Sequence, residues 1–556
     1  MKILELRFRS GKAQGKPKLI LRPARVTIFI GPNNGGKSRA LSEIQYAVAP
    51  NGNISFKVFD AIDVSDIGDK EFADKLSRIE VPKIVSDNPD PGIVVVSGRY
   101  GGRQSFSKSY LAGGLKAGGD LGARQYAAQN FLRYFFINLN GTDRLGLALA
   151  KPAEPVGSAA TSTISALLSN DEARGILSDL IVKAFGQYLV IDPTQMTQLR
   201  YMLSRVVPPA NIERHLTDEA VAFFKNAEPL EEASDGTKAF VGIAAEIIAG
   251  DPDIVVVDEP EAFLHPSLAF LLGRYIAGQV RSDKQLYVAT HSSAFLLGSV
   301  LSGAPVDVVR LTHRGGDATA RHLSAERLRE MMTDPLFRSA GAVSALFYES
   351  AVITEGDSDR AFYDEVNNRL QTYGDNGLAH NIFLNAHNKQ TAVNLVVPLR
   401  QVGIPAAMIL DLDWLKEDGQ VWDRYFSALG APVGLKGGFA NTRRYIRDKL
   451  AEADANYKTK GGLAVLSESD RLVADDFLDS MEQYGLFTVR SGELESWLAG
   501  ANVERTKNKW LASVFAYMGS DPDLPGYLLP GADDVWALID RIGKWTTNKD
   551  RKGMEG

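Results

Sequence analysis

The segment VITEGDSDRAFYDEV, residues 352–366, sets five carboxylates, Glu355, Asp357, Asp359, Asp364 and Glu365, directly behind a short apolar run. A later run, GIPAAMILDLDWL, closes on Asp411-Leu412-Asp413. Both runs read as buried strands, the first followed by a helix for which Asp357 or Ser358 is available as a cap. Alternation along an extended chain puts Asp411 and Asp413 on one side, where they can converge on one ion. If the two strands are neighbours in a parallel sheet, Glu355, Asp411 and Asp413 gather at its C-terminal edge. Asp359, one helical turn beyond Glu355, lies on the same face. So many like charges are strongly unfavourable together unless a divalent cation neutralises them.

A different chemistry is written earlier in the chain. ARVTIFIGPNNGGKSRALSEIQYAV reads as a β-rich run, a Gly-rich turn and a helix starting near Lys37, and Gly31, Gly36, Lys37 and Ser38 fit the P-loop pattern in its strand–loop–helix setting. Backbone N–H groups of Asn33, Asn34, Gly35 and Gly36 would close around the β-phosphate of a nucleotide, with Lys37 reaching the β/γ-phosphates and Ser38 ligating Mg2+. Further on, DPDIVVVDEPEAFLHP is a buried strand, Ile254 to Val257, ending in two acids. Asp258 suits the Mg2+ shell and Glu259 a base that polarises the attacking water. The next strand, in DKQLYVATHS, ends at Thr290 and His291, from which an imidazole could sense the γ-phosphate. Ser234, Asp235 and Gly236 stand immediately ahead of an apolar-periodic helix.

These elements need more than one core, because 556 residues exceed what a single hydrophobic core supports. Ordinary composition, 45% hydrophobic and 23% charged, excludes disordered and fibrous classes. Zero Cys excludes disulfides and cysteine-ligated zinc or iron–sulfur centres, and seven His point any metal toward a hard cation held by oxygen. MKILELRFRSGKAQG has no continuous apolar stretch and is not a secretory signal. The longest apolar runs fall far short of the roughly 20 residues of a membrane span, so a cytoplasmic location is expected. Net charge is −6, yet residues 1–25 carry eight basic residues against Glu5 alone, and Arg443, Arg444, Arg447 and Lys449 form a second basic cluster. Each cluster reads equally as a solvated face or a phosphate contact.

Taken together, the first-half motifs resemble ABC-type ATPases, specifically the branch shared by DNA-repair ATPases and OLD-family proteins. GPNNGGKS resembles their Walker A, ASDGTK a degenerate signature, IVVVDEPEAFLHP their Walker B running into the D-loop, and THS their switch histidine. The resemblance implies a head-to-head dimer in which Ser234 and Gly236 of one copy cap ATP held on the other. The family's Gln-containing loop is best matched by FFINLNGTDRL, residues 135–145, and a coiled-coil arm is missing. Residues 155–230 show modest helical patterns that suit a compact helical insertion, a candidate for dimerisation.

The second half resembles the TOPRIM domain of topoisomerases, primases and OLD-family nucleases, with its strand-terminal Glu-Gly and downstream Asp-x-Asp. The resemblance implies Glu355 as ligand or general acid/base and Asp411 and Asp413 as the metal pair. Asp359 is the OLD-like extra acid, favouring two metal ions that activate water and stabilise the leaving oxygen of a phosphodiester. Asn388 and Lys389 are candidate phosphate contacts or a simple cap, Glu493 or Glu495 a further ligand, and Lys507, Lys509 or Lys544 a transition-state cation.

The whole chain is similar to OLD-family ATP-dependent endonucleases, including the ATPase–nuclease subunits of Gabija and retron-associated defence systems. The expected fold is α/β: an ABC-type P-loop ATPase domain over 1–344, a Rossmann-like TOPRIM domain over 345–500 and a small helical region over 501–556. Implied cofactors are ATP and Mg2+, with Mn2+ an alternative at the TOPRIM site. Implied partners are DNA, a second copy or higher homo-oligomer and a defence-system protein, with no membrane; RNA is the alternative substrate. A non-cutting ATP-dependent sensor or clamp is the reading from another class. A topoisomerase would need a domain presenting a nucleophilic Tyr, and a primase with cysteine-ligated zinc is excluded by the lack of Cys.

Overall fold

Val26–Ile30 (VTIFI) is a short run rich in β-branched and aromatic residues with no solvent-facing side, and all five of its residues are buried. It lies inside a six-stranded sheet ordered Asp317–Ser324, Val306–Arg314, Val26–Ile30, Gln285–Ala289, Ile254–Asp258, Phe136–Leu139. All neighbours run parallel except the hairpin at the Asp317–Ser324 edge. Their common direction brings the Gly-rich loop, His291 and the Asp258-Glu259 pair to one sheet edge.

The computed structural model describes residues 1–13, 15–50, 54–99, 102–115, 121–141, 143–154, 160–249, 252–314, 316–335, 337, 341–374 and 376–554. The chain divides into two compact units, Met1–Arg329 and Glu330–Gly556, so the division lies ahead of the 344/345 position suggested by the restart of the motif pattern. Among the described residues no helix is long and apolar enough to cross a membrane.

In the first unit a three-stranded antiparallel sheet (Lys18–Leu21, Ile3–Gly11, Phe59–Val64) shares a core with the parallel sheet, where Phe8 meets Phe59 at 4.7 Å between ring centroids. Burying each such side chain stabilises the fold by roughly 1.5–3 kcal/mol. The basic N-terminal strand is balanced across the sheet: Arg7 bonds Asp63 at 2.7 Å and Lys18 bonds Asp60 at 2.6 Å. That favours the solvated-face reading of this cluster.

The expected helical insertion is helical only in part. Helices Thr163–Leu168, Asp171–Phe185 and Asp218–Lys225 accompany an antiparallel pair, Tyr188–Asp192 with Gln198–Ser204, which Lys151–Pro152 and Glu228–Pro229 extend. Gly186, at φ 69°, ends the long helix, and the alternating run YLVID then extends as a strand. Residues 155–159 of the insertion lie outside the described residues.

The second unit is built on a four-stranded parallel sheet ordered Asn381–Asn385, Ser350–Thr354, Ala406–Asp411, Leu486–Val489. Residues 345–347, the start of the expected TOPRIM domain, belong to the 3-10 turn Ala342–Phe347 that leads into the first strand. The chain order along this sheet reverses beside Ser350–Thr354, which is where an open α/β sheet leaves a crevice at its carboxyl edge. The last helices, Lys507–Met518 and Asp534–Thr547, put Trp510, Val514, Trp536 and Ile539 into the same core as Val352, Ile409 and Val489. Buried Arg369 ties them down by donating to the carbonyls of Met518 and Leu528, both at 2.8 Å. The second basic cluster is also internally balanced: Arg443 is buried against the Leu415 carbonyl and Asp418, and Arg447 pairs with Asp418 and Asp448.

Candidate functional site

Two separate clusters carry the chemistry, one in each unit. In the first, Gly31 leaves its strand at φ 136°, and a Cβ there would lie 2.0 Å from the Leu311 carbonyl, so only glycine fits. The exposed Asn33 and Asn34 follow, and Gly35 donates to the Pro32 carbonyl at 3.2 Å. Gly36 is the N-cap of helix Lys37–Val48, so the helix N-terminus faces the loop. Lys37, 4% exposed, donates through Nζ to the carbonyls of Gly31 (2.9 Å) and Pro32 (2.7 Å). Burial lowers its pKa to about 8 against the pull of Glu259, Asp258 and Glu261. A nearby phosphate would favour the charged form further.

The acids arrive from the strand two places away. Ser38 Oγ donates to Asp258 Oδ1 at 3.2 Å, and burial pushes the Asp258 carboxyl up. Glu259 turns the chain at φ 50°, a left-handed conformation costly for a side chain of this size, and its carboxylate lies 3.7 Å from His291 Nε2. Burial, then Lys37, holds the His291 imidazole below its usual range, and its backbone N–H donates to Glu261 Oε1 at 2.7 Å. Lys37, Ser38, Asp258, Glu259 and His291 therefore form one site.

Ser234 and Gly236 contact other groups. Exposed Ser234 accepts the Thr237 N–H at 3.3 Å, opening helix Asp235–Ala249, and a Cβ on Gly236 would lie 2.6 Å from the Phe263 carbonyl. Within the 135–145 window, Asn138 Nδ2 donates to Gln45 Oε1 at 2.8 Å, while Thr142 and the side chain of Asp143 lie outside the described residues. The window also supplies Arg144, which sequence reasoning did not single out: its guanidinium is buried and donates to the Glu259 carbonyl.

In the second unit only two of the five opening acids face the site. Asp357 pairs with Arg360 at 2.8 Å and Glu365 with Arg369 at 2.7 Å. Glu355 Oε1 accepts the backbone N–H of Asp411 at 2.7 Å, joining the two neighbouring strand ends. Burial, then the charge of Asp411, pushes Glu355 up to about 8 and Asp359 up to about 7. Burial also raises Asp411, with Lys458 opposing. Asp413 is placed by a route other than strand alternation: Asp411 closes its strand, and Leu412–Lys416 coils into a 3-10 helix. Burial would raise Asp413, but Lys458 and Lys389 outweigh it and hold the carboxyl below its usual range.

Lys458 is a cation at this cluster that sequence reasoning did not single out, with Nζ 2.9 Å from Asp411, 3.5 Å from Asp413 and 3.8 Å from Glu493. The lysines proposed from sequence lie elsewhere or further out: Lys509 pairs with Glu504 and Lys544 with Asp540, while Lys507 acts on Glu493 only through its charge. Lys458 follows a long helix, in a segment with no periodic pattern, and Gly461-Gly462 after it is the sole local signal of a tight turn. Glu493 and Glu495 both act on the cluster, Glu495 through its charge on Asp359 and Asp411. Asn388 is a helix cap, accepting the Thr391 N–H at 2.9 Å, and Lys389 bridges Asp413 (3.0 Å) and Glu417 (3.3 Å).

Among the described residues Asp411 Oδ1 is buried with no hydrogen-bond partner, an acceptor that suits a cation, and an all-oxygen donor set suits Mg2+ or Mn2+. Among the described residues no three acidic or imidazole side chains already stand in one coordination shell. Glu355, Asp359, Asp411 and Asp413 are the residues that would hold such an ion here, and Ser38 and Asp258 those that would hold one beside the Gly-rich loop.

Residues 126–297 match the family model described as "AAA domain, putative AbiEii toxin, Type IV TA system", a span that contains Arg144, Ser234, Asp258, Glu259 and His291. No curated protein matches the chain. Similar solved structures include an SMC head bound to the C-winged helix domain of ScpA, at 13% identity and TM-score 0.33, covering 59% of this chain and 100% of that one. The SMC head domain from Thermotoga maritima gives 13% identity and TM-score 0.29, with coverage of 58% and 100%. An SMC head with an extended coiled coil, bound to the C-terminal domain of ScpA and derived from Pyrococcus furiosus, gives 13% and 0.33, with coverage of 60% and 98%. The family match supports an AAA-family ATPase domain within the first unit.

Proposed function

We propose that the chain is an OLD-type, ATP-gated, divalent-metal-dependent endonuclease whose second unit is a TOPRIM domain acting on DNA in antiphage defence. The observation that carries this reading is the convergence of Glu355, Asp359 and Asp411 in a partly buried cluster where, among the described residues, Asp411 Oδ1 has no hydrogen-bond partner. Buried carboxylates without a counter-charge are costly, and Lys458 with Lys389 supplies two positive charges against four acids. Mg2+ or Mn2+ held by Glu355, Asp359, Asp411 and Asp413 would supply a Lewis acid that activates water and stabilises the leaving oxygen. Lys458 adds a fixed positive charge against the phosphodiester, and Glu355 is the proton acceptor.

In the first unit Lys37 and the loop N–H groups hold the ATP phosphates, Ser38 and Asp258 the accompanying Mg2+, Glu259 orients and deprotonates the attacking water, and His291 faces the γ-phosphate. Ser234 and Gly236 serve the ATP of a second copy, so hydrolysis belongs to a homodimer or higher oligomer. The setting is cytoplasmic, with a defence-system protein as further partner. One observation favours the second reading, a non-cutting sensor: Asp413 already carries both Lys389 and Lys458.

The test titrates Mn2+ into wild type and Asp411→Asn while following the free-ion signal by electron paramagnetic resonance, then offers both proteins labelled DNA and RNA duplexes and single strands. A metal site lost in Asp411→Asn together with cleavage of DNA supports the proposal. Cleavage confined to RNA moves the substrate, and metal binding without cleavage of either favours the sensor.

A further inference from the structure

Arg144 is 2% exposed, and its guanidinium donates to the backbone carbonyl of Glu259. Among the described residues its Nε has no hydrogen-bond partner. The residue it holds is under backbone strain: Glu259 sits at φ 50°, and such left-handed positions for non-glycine residues cost on the order of 1–3 kcal/mol. Three bonds fix that conformation, the Glu259 N–H to Ala289 O at 2.8 Å, the Ala262 N–H to Glu259 O at 3.0 Å, and Arg144. Only the Ala262 bond is local; Ala289 holds Glu259 from the neighbouring parallel strand, and Arg144 reaches it from outside that strand pair.

The turn that carries Arg144 is pressed against helix Asp235–Ala249. A Cβ on Gly242 of that helix would lie 2.9 Å from Leu147 Cβ and 3.0 Å from the Arg144 carbonyl, so the two elements touch without slack. The same helix begins beside Ser234 and rests Gly236 on the carbonyl of Phe263, in the turn that Glu259 opens. One rigid helix therefore bears on this turn directly at Gly236 and indirectly through Leu147 and Arg144.

We propose that Arg144 is a positioning residue for ATP hydrolysis, fixing the left-handed backbone of Glu259 and passing a shift of helix Asp235–Ala249 to it. Nucleotide from a second copy, engaging Ser234 and Gly236, moves or steadies this helix, and the contact of Gly242 with the Arg144 turn carries the change to the base. The inference rests on Glu259 being the hydrolytic base, as proposed above.

The experiment measures kcat and KM for ATP hydrolysis, and the Kd of a fluorescent ATP analogue, in full-length wild type, Arg144→Met, Arg144→Lys and Glu259→Gln. Arg144→Met is expected to lower kcat by ~10-fold or more with KM and Kd held within ~2-fold, the pattern of a lost transition-state arrangement, and Arg144→Lys to recover part of kcat. Should Arg144→Met not fold, Arg144→Lys carries the same comparison, with kcat reduced and Kd kept. An unchanged kcat, or kcat and Kd worsening in proportion as the melting temperature falls, overturns the role. Glu259→Gln separates the two claims: if it still hydrolyses ATP the base assignment fails, and if it is inactive while Arg144→Met is not, only the positioning role fails.

Discussion

Lys37 and Glu355 meet the same difficulty, an ionisable group withdrawn from water, and respond in opposite directions. Burial favours the neutral form of both, lowering the lysine to about 8 and raising the carboxyl to about 8. For Glu355 the consequence for stability follows by linkage. Its folded-state pKa lies above the ordinary carboxylate value, so its contribution is fully present below about pH 4.5 and is lost as pH rises toward 8. Glu355→Gln keeps an acceptor for the Asp411 N–H and removes that loss. With EDTA present, the variant is expected to match wild type near pH 4 and to become more stable by ~1 kcal/mol or more at pH 8. Chemical denaturation across that range reads the difference, and a gap independent of pH would refute the burial-driven shift. Lys37, Ser38, Asp258 and Glu355 were legible because each sits in a local pattern of strand, turn and helix. Lys458 and Arg144 were not, because what defines them is a contact with residues far away in sequence.

Gly492 shows how one element end organises several others. At φ 121° it occupies backbone space where a Cβ would lie 1.9 Å from the Lys458 carbonyl. Its own carbonyl accepts the Leu412 N–H at 2.8 Å, midway between the two aspartates, and its N–H returns to Val489 at 2.9 Å. The strand end at Leu486–Val489, the Asp411-Leu412-Asp413 turn and the Lys458 turn are thus pinned at one residue. Gly492→Ala is expected to destabilise the second unit by about 2 kcal/mol and to reduce metal-dependent cleavage by ~10-fold or more, with ATP hydrolysis kept. Equal cleavage by both proteins in a matched assay would contradict this. The central strands Val26–Ile30, Ile254–Asp258, Gln285–Ala289, Ser350–Thr354 and Ala406–Asp411 could be read from sequence because burial on both faces leaves a continuous signature, whereas Phe136–Leu139 lay inside the window matched to a loop. Asp413 could not be placed that way, since the 3-10 coil at Leu412–Lys416 replaces the alternation on which the expectation relied. The hairpin Tyr188–Asp192/Gln198–Ser204 was masked by the helical pattern that precedes Gly186.

At the scale of the whole chain, the proposal joins two chemistries in one polypeptide and requires nucleotide state to govern cutting. Pairing of heads across ATP predicts that Glu259→Gln with ATP shifts to dimer mass in light scattering, while Lys37→Ala stays at its nucleotide-free mass. An identical mass for both would remove the shared-nucleotide arrangement. The α/β fold class and the ATPase domain were legible because each of their motifs follows a strand or precedes a helix. The substrate was not, because carboxylate ligands engage the phosphodiester common to DNA and RNA. The most direct test is cleavage of supercoiled plasmid in Mg2+ or Mn2+, with and without ATP, by wild type, Asp411→Ala and Lys37→Ala. The expected result is nicking by wild type, none by Asp411→Ala, and loss of the ATP response in Lys37→Ala. Persistent nicking by Asp411→Ala, or no cleavage by wild type while it hydrolyses ATP, would contradict a DNA nuclease centred on Asp411.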